Sequence, residues 1–243
     1  MLNINKINRQ KLNFNFYTPI IATIAITLAN SWLVNQYSSE ILTRNIFWQI
    51  IFVSLTGLTS YLNFDNFINS NKNKSKIILI IPIVLLFVIM LFHSPISLAI
   101  LGLLTLIPFL TNMFSFSTNN GIGLISLAAS IGFIQPVVLY YLRNNFLTFT
   151  FVKVCLLTLI CMTLLLFSFY FSKSENYKIS LISILILEFI FSLILFPKTS
   201  TILIFLLCLI SLILVFLRLK KKYHFYINVL FYIVIILIIN SIQ

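Results

Sequence analysis

Nine stretches of this chain are predominantly apolar and 17 to 25 residues long, and no other property restricts its folding as strongly. They run over 17–37, 45–63, 77–93, 95–116, 121–142, 147–171, 179–196, 200–217 and 225–241. A helix needs ~20 such residues to cross the hydrocarbon of a bilayer, with a working range of ~17–25. The runs show no alternation of period two, so a lipid-facing barrel is excluded and helices remain. Composition points the same way. Of 243 residues, 60% are hydrophobic and only 8% are charged, against roughly 25% charged in an ordinary soluble domain. Soluble, disordered, collagenous and disulfide-rich secreted classes are therefore set aside. The expected fold is all-α, a polytopic bundle of about nine transmembrane helices.

Charge placement supplies a second, independent constraint. Sixteen Lys and Arg face four acidic residues, for a net charge of +12. With nine spans, twelve of the sixteen basic residues fall on the side of the N-terminus and three (Arg44, Arg143, Lys198) on the other, with Lys153 inside the sixth span. Positive charge is retained on the cytoplasmic side, which puts the N-terminus in and the C-terminus out. Residues 1–16 then form a basic cytoplasmic segment and 17–243 a single transmembrane domain. The first span has no small-residue cleavage site after it and reads as a retained helix rather than a signal peptide. The lysines face anionic lipid headgroups on this reading, and nucleic acid is not an expected partner.

Breaks between spans carry Pro95, Asn119, Asn120, Gly121, Gly123 and Pro197, whereas Pro19, Pro82, Pro108 and Pro136 fall inside spans and predict kinks. Cys155, Cys161 and Cys208 lie in apolar runs without metal or redox spacing, and read as small apolar fillers. Tyr140, Tyr141 and Arg143 at the end of the fifth span, with Trp32 and Trp48, read as an interfacial aromatic belt. His93 and His224 lack ligand spacing, and no Ser-His-Asp, HExxH, GxGxxG or P-loop pattern occurs.

Two loops on the same side are rich in polar groups. One carries Asp65, Asn66, Asn69, Asn71 and Asn73 with Lys72, Lys74 and Lys76; the other reads SKSENYK and holds Lys173, Glu175 and Lys178. Clustered carboxylates and amides suit a hard cation, and lysines suit phosphate oxygens. Deeper in, Lys153 and Glu188 fall at nearly the same depth on neighbouring antiparallel spans. They form either an intramembrane ion pair or a snorkelling lysine beside a protonated acid.

The two polar loops on one face of a nine-span chain resemble the UbiA superfamily of intramembrane prenyltransferases. So do Tyr17-Thr18-Pro19 after a basic N-terminus, Gly121-Ile-Gly123, Gly132-Phe-Ile-Gln-Pro136 and the LYYLRNNFLTF that follows. The resemblance implies transfer of an isoprenoid chain from a polyprenyl diphosphate to an aromatic or lipid acceptor. Asp65 and Glu175 would be the catalytic carboxylates, and Asp65, Asn66, Asn69 and Glu175 would hold magnesium. Lys72, Lys74, Lys173 and Lys178 would contact the diphosphate. The chain departs from the family at Asn66, Asn69 and Asn73, where aspartates are expected. An amide brings an oxygen to magnesium but no negative charge, so activity is expected to be impaired. A non-catalytic membrane subunit or assembly factor, and a small-molecule transporter or permease subunit, are the other classes the residues admit. Scarce glycine, with no paired helix breaks, weighs against the transporter.

Overall fold

The computed structural model describes residues 14–38, 46–69, 120–171, 177–195, 198–216 and 221–241. Every regular element among them is helical. In chain order these are α1 (Phe14–Tyr37), α2 (Ile46–Asn69), α3 (residues 120–144), α4 (Phe149–Phe171), α5 (Tyr177–Leu195), α6 (Lys198–Phe216) and α7 (Lys221–Asn240). Helix α3 is continuous but not uniform. An α segment, Asn120–Ala128, passes into a π-helical segment, Ala129–Ile134, and returns to α-helix over Gln135–Asn144. Seven of the nine expected spans coincide with these helices, and the spans at 77–93 and 95–116 lie outside the described residues. Among the described residues two stretches, Gly123–Asn144 and Phe149–Phe167, are long and apolar enough to cross a membrane.

Helix α4 is the centre of the bundle, packed on α3, α5, α6 and α7, while α1 packs on α2, α3 and α7. The chain runs up and down. Asn35 near the end of α1 meets Arg143 near the end of α3, and Phe64 near the end of α2 meets Phe225 near the start of α7, ring centroids 4.9 Å apart. The three cysteines are buried and unbridged, filling gaps in α4 and α6 as the sequence suggests.

The turn from α3 to α4 is written in two residues. Asn145 takes a left-handed conformation (φ 59°) and its N–H closes on Tyr141 C=O at 2.8 Å. Asparagine tolerates that region better than most residues, so it ends the helix. Thr148 then accepts the Phe151 N–H on its hydroxyl at 3.3 Å and caps α4. Tyr140, expected in an interfacial belt, is instead 2% exposed. Its ring stacks on Phe151 at 4.2 Å and an interplanar angle of 18°. Its position at a span end suggested an interface, but the tight turn brings the first residues of α4 over it. Trp32, by contrast, does face outward.

Contact between α3 and α4 is closest at Gly132. A Cβ there would lie 2.8 Å from Thr158 C=O and 2.9 Å from Leu159 Cα, both backbone atoms that cannot swing aside. At Gly57 of α2 the same atom would meet Thr23 Cγ2 at 3.7 Å, an ordinary contact. Gly132→Ala is therefore expected to destabilise by about 1–3 kcal/mol through overpacking. Gly57→Ala should be neutral or slightly stabilising, since alanine favours helix. Denaturant unfolding of both variants, followed by far-UV circular dichroism, checks the contrast; equal losses would contradict it.

Candidate functional site

Proline removes a backbone donor, and at Pro136 the acceptor it would have met depends on the helix register. An α-helix would use that hydrogen for Gly132 C=O, four residues back, and a π-turn would use it for Ile131 C=O, five back. The neighbouring Gln135 N–H is directed to Ser130 C=O, the π spacing. Side chains from other helices take over. Asn30 of α1 donates from Nδ2 to Ile131 C=O at 2.9 Å, and Thr158 of α4 donates its hydroxyl to Gly132 C=O at 2.5 Å. The kink expected at this proline has become the junction of three helices.

A chain of amides extends the junction to two more helices. Asn30 Nδ2 also donates to Gln135 Oε1 at 2.8 Å, and Asn30 Oδ1 accepts the Tyr232 hydroxyl of α7, again at 2.8 Å. Gln135 Nε2 donates to the Thr56 hydroxyl of α2 at 3.1 Å, which in turn donates to Phe52 C=O at 2.9 Å. Asn30 and Tyr232 are fully buried and Gln135 is 1% exposed. In a low-dielectric interior a fully connected network of this kind specifies one arrangement, because each broken link strands a buried polar group. Asn228 adds a parallel tie, its Nδ2 donating to Leu165 C=O of α4 at 2.5 Å.

A cleft lies one to two turns beyond this junction along the same helices. Gln135, Leu139 and Arg143 recur every four residues along one face of α3, so Arg143 stands about 12 Å beyond Gln135 on the same side. The cleft, about 260 Å³, is lined by Ser31, Val34 and Asn35 of α1, Gln49, Ile50, Val53 and Ser54 of α2, and Leu139 and Arg143 of α3. Arg143 is only 6% exposed. Its guanidinium Nη1 donates to Asn35 Oδ1, joining α3 to α1 across the cleft. An arginine at a span end would ordinarily extend into solvent; here it is buried and turned onto Asn35. It is not the belt residue expected from its position.

Of the residues singled out from sequence, Asp65, Asn66, Asn69 and Lys178 lie at the other end of the bundle. Asp65, Asn66 and Asn69 belong to the last turns of α2, and Lys178 to the first turn of α5, with side chains outside the described residues. Lys72, Lys74, Lys173 and Glu175 lie outside the described residues altogether. The end of α2 and the starts of α5 and α7 share one end of the bundle, opposite the Arg143 cleft. Lys153 of α4 places its ammonium 4.7 Å from the Phe149 ring centroid, one turn back. Glu188, its expected partner, sits on α5 with its side chain outside the described residues. Among the described residues no three His, Cys, Asp or Glu side chains gather to hold a metal. The donors proposed for magnesium, two carboxylates with two neutral amides, fall short of the charge a hard-cation site uses.

Sequence reading passed over Asn30 and Gln135. The available signal was polarity: an asparagine and a glutamine in mid-span are costly unless paired. No protein-family model matches the chain, and neither curated proteins nor solved structures yield one similar to it.

Asn30→Leu would strand Ile131 C=O and the Tyr232 hydroxyl together, and is expected to cost about 2–3 kcal/mol. Tyr232→Phe removes one bond and should cost about 1 kcal/mol. In the double variant the losses should fall short of the sum. Denaturant unfolding of the three variants checks this, and full additivity would contradict a shared network.

Proposed function

We propose that the chain is a multi-pass integral membrane protein of nine transmembrane helices, arranged like the intramembrane prenyltransferases. Its N-terminus lies in the cytoplasm and its C-terminus on the opposite side. The observation that carries the membrane reading is the inversion of polarity in the bundle. Asn30, Thr56, Gln135, Arg143, Asn228 and Tyr232 are buried. Outward, Leu28, Ile125, Ile179 and Ile194 are 62–72% exposed. In water such a surface would drive association; in lipid it is the solvated face. An exposed hydroxyl fits the same solvent. Ser183 donates to Ile179 C=O at 3.0 Å, within its own helix. A hydroxyl facing hydrocarbon has no other partner.

Within that frame, the substrate class we propose is an isoprenoid diphosphate. It would be bound at the cytoplasmic end, where α2 ends with Asp65 and Asn66 and α5 begins beside Lys178. Lys72, Lys74 and Lys173, with Lys178, would meet the diphosphate oxygens, and Asp65 and Glu175 would be the reacting-end carboxylates. The isoprenoid would lie among the apolar spans, and an aromatic or lipid molecule would accept it. With amides at Asn66 and Asn69, binding of the diphosphate is retained more fully than transfer. A chain with two charged donors cannot neutralise a departing diphosphate as an aspartate-rich site does.

One preparation tests both halves of the reading. Reporters fused at Met1 and Gln243 should label opposite sides of the membrane. The purified protein should bind labelled geranylgeranyl diphosphate, with affinity falling about tenfold or more when Lys173 and Lys178 are both changed to Ala. Same-side reporters would remove the nine-span topology. Equal binding by the double variant would remove the diphosphate site.

A further inference from the structure

The turn between α3 and α4 presents apolar side chains where a turn in water would present polar ones. Phe146 is 51% exposed, Leu147 39% and Phe149 75%. They cannot fold inward, because the underside of the turn is filled by Tyr140 and Phe151, stacked and both buried. Phe146 stands edge-on to Tyr140, ring centroids 6.3 Å apart. The left-handed Asn145 and the Thr148 cap fix the backbone that carries them. In water each of the three would forgo the gain of burial. At a bilayer surface each is solvated by lipid, and aromatic rings concentrate at headgroup level.

We infer that this turn is a lipid-contact surface: the Lys153 ammonium binds the phosphate of an anionic phospholipid, and Phe146, Leu147 and Phe149 enter the adjoining part of the acyl layer. The inference rests on the membrane reading above and not on the transferase reading.

The position of the turn is the first support. It joins Gly123–Asn144 to Phe149–Phe167, the two stretches long and apolar enough to span. Helices that cross a bilayer place such a turn where hydrocarbon meets headgroups. Lys153 is the second. It lies one turn inside α4, about 6 Å deeper than Phe149 along the axis. Helical side chains lean toward the N-terminus, which in α4 is the end at the turn, and the ammonium lies 4.7 Å from the Phe149 ring centroid. The stem thus returns the charge to the depth of the turn, the direction a snorkelling lysine takes. Among the described residues the ammonium bonds no carboxylate. The ring face attracts the cation, while its three N–H bonds are the donors that phosphate oxygens take. A free anion would satisfy the ammonium and leave the three apolar side chains in water. A phospholipid satisfies both.

Tryptophan fluorescence of the full-length protein in vesicles tests this. One single-tryptophan protein keeps Trp32, which faces outward on α1, and carries Trp48→Phe. The other carries Phe149→Trp with Trp32→Phe and Trp48→Phe. The vesicles contain phosphatidylcholine and phosphatidylglycerol in equal parts, with one or the other brominated in its chains, since bromine quenches a nearby indole. The Phe149→Trp protein should be quenched by both lipids, about two- to fivefold more strongly by brominated phosphatidylglycerol. Adding Lys153→Gln should abolish that preference and Lys153→Arg should keep it, with the far-UV circular dichroism unchanged in both. Quenching of the Phe149→Trp indole by aqueous acrylamide, with no effect of brominated lipid, would overturn the proposal. Equal quenching by the two lipids, or a preference that survives Lys153→Gln in folded protein, would overturn it as well. Trp32 separates this failure from that of the membrane reading: if Trp32 also escapes brominated lipid, the membrane reading is lost, and if Trp32 alone is quenched, only the lipid contact at the turn is.

Discussion

A single missing hydrogen organises this bundle. Pro136 cannot donate to Gly132 C=O, its α-register acceptor, or to Ile131 C=O, its π-register one, and side chains of α1 and α4 donate to both. An unpaired carbonyl in a greasy interior costs about 1–3 kcal/mol, so the helices that satisfy it are held in one register. In an interior where Ile packs against Leu almost equally well at several rotations, directional bonds decide which rotation is kept. Gly132 completes the device, because only a residue without Cβ lets α4 come near enough for Thr158 to reach across.

The consequence for function is geometric. The amide chain from Tyr232 through Asn30 and Gln135 to Thr56 ties α1, α2, α3 and α7 at mid-height. Each of those helices except α7 then sends residues toward the cleft one or two turns beyond: Val34 and Asn35, Gln49 and Val53, Leu139 and Arg143. The junction thus lies one to two turns from a cavity of mixed lining at one end of the bundle. The residues with the strongest sequence claim to chemistry, Asp65 and its neighbours, occupy the other. The two ends are joined by the same helices, so the junction serves as common scaffold to both.

Much of the secondary structure was legible because apolar runs of membrane length leave few alternatives. The helix α1 starts only three residues before its expected span, and α4 ends at the expected residue, Phe171. The buried cysteines were equally plain. What could not be read was the direction in which each helix faces. These spans are apolar around their whole circumference, so periodicity does not mark an inner face as it does in water. Arg143 and Tyr140 were misread for that reason: a position at a span end predicts an interface on average, and only the Asn145 turn reveals the inward packing. The acceptors at Ile131 and Gly132 were hidden more deeply still, since they belong to the backbone. The pair Gln135-Pro136 signalled a kink, but not which side chains would repair it.

The central claim is that Thr158 serves a carbonyl that Pro136 has deprived of its helix partner, and a double-mutant cycle between the two tests it directly. Thr158→Val should cost about 1–2 kcal/mol in the native background. In Pro136→Ala, residue 136 regains an N–H for Gly132 C=O, and the same Thr158→Val change should cost only a few tenths of a kcal/mol. Equal costs in the two backgrounds would show that the carbonyl does not depend on the proline, and the account of the junction would not stand.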